Sequence, residues 1–105
     1  MPWYVYAAHF FGGAFLANSL PHLIAGLLGQ RLPTPFASPP FKGLSSPTVN
    51  VVWALINLSL AYLLILRVRS VDFGNLVDVA VCFLGFAAMA SQCARAFGSL
   101  RKTAG

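Results

Sequence analysis

Charge is scarce in this sequence. Only 9% of the 105 residues are charged, glutamate is absent, and the two acids are Asp72 and Asp78. A soluble domain carries roughly 25% charge, and a chain of about 100 residues leaves much of its surface facing solvent. With 58% apolar residues and a mean hydropathy of +0.76, a water-soluble core is excluded as the expectation. Cysteine is sparse too. Cys82 and Cys93 lie eleven residues apart, roughly 16 Å along a helix, whereas a disulfide needs α-carbons within about 7 Å. Both are expected to be free thiols. The two histidines, His9 and His22, are separated by roughly 19 Å of helix and cannot share one ion, so no metal site is expected. No hydrolytic triad, phosphate-binding glycine loop or pair of carboxylates is present, and an ordinary enzyme is disfavoured.

What the sequence does contain is three long apolar runs. The expected fold is an all-α membrane protein: a single membrane domain, residues 1–105, with three transmembrane helices and a proline-rich loop between the first and second. The first run, 3–29, has no charged side chain and exceeds the ~30 Å hydrocarbon thickness, so it must tilt, bend or end early. Pro21 offers a bend that frees the Ala17 carbonyl for Asn18 or Ser19 to satisfy. The run lacks a basic n-region and is about twice as long as a signal-peptide core, so it reads as a retained anchor. Residues 30–47 hold five of the seven prolines with Phe36, Phe41 and Leu44 interleaved, a stiff connection expected as a lid, a re-entrant hairpin or an interfacial strap. A cap at Ser46-Pro47 or Thr48 opens the second span, 48–66, which Arg67 and Arg69 stop. A polar link, 70–74, leads to the third span, 75–94, and residues 95–105 read as a frayed tail. No internal repeat is visible.

The net charge of +5 does not point to nucleic acid, because Arg31, Lys42, Arg67, Arg69, Arg95, Arg101 and Lys102 all lie between or after the apolar runs. Two of them flank the second link; five lie in the proline loop and tail. By the positive-inside rule the loop and C-terminus are expected in the cytoplasm and the N-terminus outside, across a bacterial inner membrane.

Polar side chains inside spans must find partners. Asn50, Trp53, Ala54, Asn57 and Ala61 form one stripe on the second span; Asp78, Cys82, Gly85, Met89, Gln92 and Cys93 form another on the third, opposite a lipid-suited face of Val77, Val81, Leu84 and Ala88. In the first span, Asn18 and His22 are four apart, and Ala8/Gly12 and Gly13/Ala17 have the spacing of close helix approach. Gly12, Gly13, Trp53, Gly85 and Gln92 are therefore candidate interface residues. Asn18, His22, Asn50 and Asn57 are candidates for a ligand or ion path. His9 and Asp78, both expected in the outward half, are candidate titratable groups; Asp78 reads equally as a proton- or cation-binding acid or as a helix N-terminal residue.

The segments Asn18-Ser19-Leu20-Pro21-His22, Thr34-Pro35-Phe36-Ala37-Ser38-Pro39-Pro40 and Ser45-Ser46-Pro47 with Asn50 and Trp53 resemble those of short, uncharacterised bacterial integral membrane proteins. The similarity covers about residues 10–60 and none of the third span. It implies a bacterial membrane setting and a shared motif region, and no activity.

The leading expectation is a non-catalytic membrane subunit that self-associates or joins a larger complex, since the polar stripes cannot all face inward in so small a bundle. Its partners would be the lipid bilayer and copies of itself or other membrane subunits. The alternatives are a small oligomeric transporter or channel for a proton, ion or small solute, and a haem-binding subunit in which histidines of two copies ligate the iron.

Overall fold

The structure, a computed structural model, describes residues 2–104, with side chains described to residue 100. Three helices form in chain order: α1, Trp3–Leu27; α2, Pro47–Tyr62, continued by one wide π-helical turn, Leu63–Arg67; and α3, Leu76–Ala104. No strand forms among the described residues; a single isolated bridge pairs Leu32 with Ser45. All three helices are long and apolar enough to cross a membrane.

Local chemistry sets the ends. Beyond Leu27 the chain turns through Gly29 at φ +73, with Gln30 N–H donating to the Ala25 carbonyl at 2.8 Å and Gly29 N–H to that of Gly26 at 3.1 Å. This glycine-closed cap consumes carbonyls that the helix would leave unpaired. The first helix thus answers its excess length by ending early. Ser46 caps α2, its Oγ accepting from Val49 N–H at 3.1 Å ahead of Pro47. Asn75 caps α3, its Oδ1 accepting from the N–H groups of Val77 (2.9 Å) and Asp78 (3.3 Å).

α1 is the hub. It packs along both α2 and α3, which barely touch each other. To serve two neighbours, α1 needs small residues on two faces, and its glycines divide accordingly. A β-carbon on Gly12 would sit 2.5 Å from Ile65 in the π turn, and one on Gly26 would sit 2.7 Å from the Pro47 carbonyl. On the other side, a β-carbon on Gly13 would strike the Cys82 carbonyl, and Gly85 of α3 lies directly against the Phe10 carbonyl. The outward surface stays apolar, with Ile24, Val52, Leu55, Val77, Phe83 and Leu84 all exposed.

Two local expectations are corrected. Residues 95–104, expected as tail, continue α3; Arg95 is exposed, so its stem can lie along the helix while its head reaches polar surroundings, and the helix need not stop there. Neither Asn18 nor Ser19 reaches the Ala17 carbonyl: the Ser19 hydroxyl donates to Leu16 O at 2.6 Å and the Asn18 amide turns to α2.

Gly85→Ala should lower stability by about 1–3 kcal/mol, because helix backbones must part to admit the methyl. Gly98→Ala, where nothing lies within 4 Å of the added carbon, should raise it by about 0.5–1 kcal/mol. Thermal melts of the purified variants in detergent check this pair, and a wild-type melt for Gly85→Ala would contradict the packing described.

Candidate functional site

Asn50 ties the loop end of the bundle together. Fully buried on the first turns of α2, it donates from Nδ2 to the carbonyls of Leu32 (3.2 Å), Ser45 (3.2 Å) and Ser46 (3.1 Å). Those bonds, the Ser45 N–H to Leu32 O bond at 3.0 Å and the Thr34–Ser45 hydroxyl pair at 2.6 Å close the neck of the loop. With its nitrogen committed as donor, Asn50 presents its oxygen to His22, 2.7 Å from Nδ1. An amide oxygen only accepts, so His22 Nδ1 carries the hydrogen. In the neutral ring Nε2 then bears a lone pair, and no group among the described residues bonds it.

A second chain of bonds joins all three helices one turn away. Cys93 Sγ lies 3.5 Å from Asn18 Oδ1, Asn18 Nδ2 donates to Asn57 Oδ1 at 3.0 Å, and Asn57 Nδ2 donates to the Trp53 carbonyl at 2.8 Å. The residues 18–22, 34–40 and 45–53, distant in sequence, meet here; the Phe36 ring rests edge-on against Trp53, centroids 5.6 Å apart.

Because α2 and α3 diverge, a gap opens between them over α1, and the loop covers its end. The result is a partly open cavity of about 620 Å³. Asn18 and His22 of α1 supply its polar floor; Trp53, Met89, Cys93, Ala96, Phe97 and Leu100 line its walls; Pro33 to Pro35, Phe41 and Lys42 come from the loop. His22 also packs edge-on against Phe97, centroids 5.6 Å apart. Phe41 is held at φ +63, a left-handed backbone that costs a side-chain-bearing residue roughly 1–2 kcal/mol. Gln92 lines the cavity, is exposed, and has no hydrogen-bond partner among the described residues.

The candidate path residues therefore divide. Asn18 and His22 reach the cavity, whereas Asn50 and Asn57 are fully buried behind it and spend their amides on internal bonds. Gly12, Gly13 and Gly85 serve contacts within the chain; Trp53 and Gln92 face the cavity. His9 and Asp78 sit at the opposite, link end. His9 Nε2 donates to the Arg69 carbonyl at 2.6 Å, and Asp78 Oδ2 accepts from Asp72 N–H at 3.1 Å. No direct bond joins Asp78 to His9 among the described residues; Asp78 is a first-turn residue of α3 that holds the link. His9 Nδ1 and Asp78 Oδ1 remain buried without hydrogen-bond partners among the described residues.

The chemistry of the loop end suits binding. Cys93, His22 and Asn50 are the residue types of a thiol–imidazole–amide triad, but the thiol's contact is Asn18 and no bond joins it to His22. Among the described residues no three His, Cys, Asp or Glu gather as a metal site.

Sequence reasoning missed Thr34, Ser45, Lys42 and Phe97. Phe97 was legible as the next members of the 89/92/93 face, and ending the span at 94 hid it. No family model, curated protein or solved structure matches the chain.

Asn50→Leu strands the Ser45 carbonyl and His22 Nδ1, since the Leu32 and Ser46 carbonyls keep backbone donors. Each stranded group costs about 1–3 kcal/mol, and the loop neck should open. Trypsin cleavage after Lys42 should accelerate in this variant and stay at the wild-type rate in Ser59→Ala, whose hydroxyl bonds only its own helix. Equal cleavage of Asn50→Leu and wild type would refute the knot.

Proposed function

We propose that the protein is a non-catalytic, multi-pass membrane subunit that holds a small membrane-borne amphiphile in the cavity at its loop end. The observation that carries this reading is the cavity itself. A volume of about 620 Å³ lies within the roughly 300–1,000 Å³ of small-molecule sites, and apolar walls around a few placed polar groups are the usual composition of such sites.

The membrane setting rests on the exposed apolar surface of the three helices, which water would penalise and lipid would not. The surplus of Lys and Arg in the loop and C-terminal segment supports a cytoplasmic loop end, with the N-terminus outside, in a bacterial inner membrane. The cavity then lies in the cytoplasmic half of the bilayer.

The internal bonds of Asn50 and Asn57 weaken the case for self-association, since these two amides need no second copy to be satisfied. A larger complex stays compatible with the exposed α3 face, on which Gln92 lies. A transport path within one chain finds no support in the geometry, because the Gly13–Cys82 and Gly85–Phe10 backbone contacts lie between the cavity and the His9–Asp78 level.

Native mass spectrometry of the chain released from nanodiscs made with its own membrane lipid provides the test. The chain should retain one small non-protein mass, and Ala96→Trp, which fills the cavity from its rim, should release it while keeping a wild-type melt. A chain that carries nothing, or an Ala96→Trp variant that carries the same mass, would sink the reading.

A further inference from the structure

From the hydrogen-bond arithmetic of the floor and the shape of the walls, we infer that the cavity takes a planar, hydroxyl-bearing aromatic headgroup with an apolar tail: a membrane-soluble phenol or hydroquinone. This rests on the binding role proposed above and adds the ligand's chemical class.

The floor calls for a hydrogen-bond donor. His22 is 3% exposed, its Nδ1 hydrogen is engaged by Asn50, and its Nε2 lone pair meets no donor among the described residues while the ring lines the cavity. The Nε2 lone pair opens onto the cavity, and a ligand O–H supplies the donor that the described residues do not. A carbonyl or ether oxygen cannot, since it too only accepts. An anionic headgroup fits the floor poorly for the same reason. Among the described residues both aspartates and the basic residues other than Lys42 lie off the cavity lining, and Lys42 is an exposed loop residue.

The walls call for a flat ring. Trp53, Phe97 and Phe41 present aromatic surface around the floor, and the His22–Phe97 and Trp53–Phe36 edge contacts hold two of those walls in orientation. Offset or edge-on ring pairs add roughly 0.5–1.5 kcal/mol beyond area alone; converted at 1.4 kcal/mol per decade, that is a two- to tenfold preference for an aromatic head over an aliphatic alcohol of similar size. Gln92 at the rim carries both donor and acceptor, so it can pair with a second ring oxygen para to the first.

The experiment is a titration of the full chain in phosphatidylcholine nanodiscs with a para-hydroquinone bearing a decyl chain, kept reduced, against its dimethyl ether. Binding is read from Trp53 emission in a Trp3→Phe background. The hydroquinone should bind saturably and its dimethyl ether at least about tenfold more weakly, a comparison made on a folded protein with an intact site. His22→Phe should lose the same factor, and Lys42→Gln should change affinity less than about twofold. Equal binding of hydroquinone and ether overturns the inference. So does a tenfold loss in Lys42→Gln, or displacement of the hydroquinone when phosphatidylglycerol replaces the neutral lipid, since either marks an anionic headgroup. If Ala96→Trp releases a native ligand but the hydroquinone and its ether bind alike, the binding role stands and the ligand class alone fails.

Discussion

One side chain, Asn50, governs the functional end of this protein. Placed where neither water nor bulk lipid can serve it, its amide must find every partner inside the chain. It does so by reaching across three sequence-distant segments: the entry to the loop at Leu32, its exit at Ser45 and Ser46, and the α1 imidazole at His22. A single buried amide thereby converts a proline-rich connection into a closed loop over the cavity and sets the direction of the imidazole beneath it. The π turn and the Asp78-held link perform the corresponding closure at the other end, where the Arg69 carbonyl meets His9.

Between these ends the controlling constraint is the thickness of α1. A central helix that must touch two partners needs two thin faces, and alternating Gly and Ala supply them. Toward the loop end, Asn18 and His22 face the cavity between α1, α2 and α3. The cavity is built from all three helices together with the loop. Gly12, Gly13 and Gly85 thus determine where the helices can close, and the positions of Asn18 and His22 determine what the open part displays.

The helical periodicity was readable because three- and four-residue spacing of polar and small residues survives in an apolar chain with few distractions. Asn50, Asn57 and Asp78 do face inward, and Val77 and Leu84 face outward. Which polar group meets which was not readable, since spacing along one helix says nothing about its rotation against another. The internal pairing of Asn18 with Asn57 and of His22 with Asn50 is set by α1 lying between two helices that barely meet, an arrangement that leaves no mark on any single span. Arg95 misled in a specific way: a lone cation on an exposed helix face resembles a terminus, yet its long side chain lets the helix run on and deliver Phe97 to the site. Thr34 and Ser45 stood out only as members of the motif segments, and their pairing was not readable because it depends on the path of the loop.

The most direct test is the protonation pattern of the two imidazoles, because the tautomer of His22 is what makes its outer nitrogen an acceptor. Nitrogen-15 spectra of histidine-labelled protein in nanodiscs, assigned with His9→Gln, should show His22 protonated at Nδ1 toward Asn50 with a lone pair on Nε2, and a hydrogen on His9 Nε2 toward the Arg69 carbonyl. A His22 ring protonated at Nε2 alone, or at both nitrogens, would contradict the account.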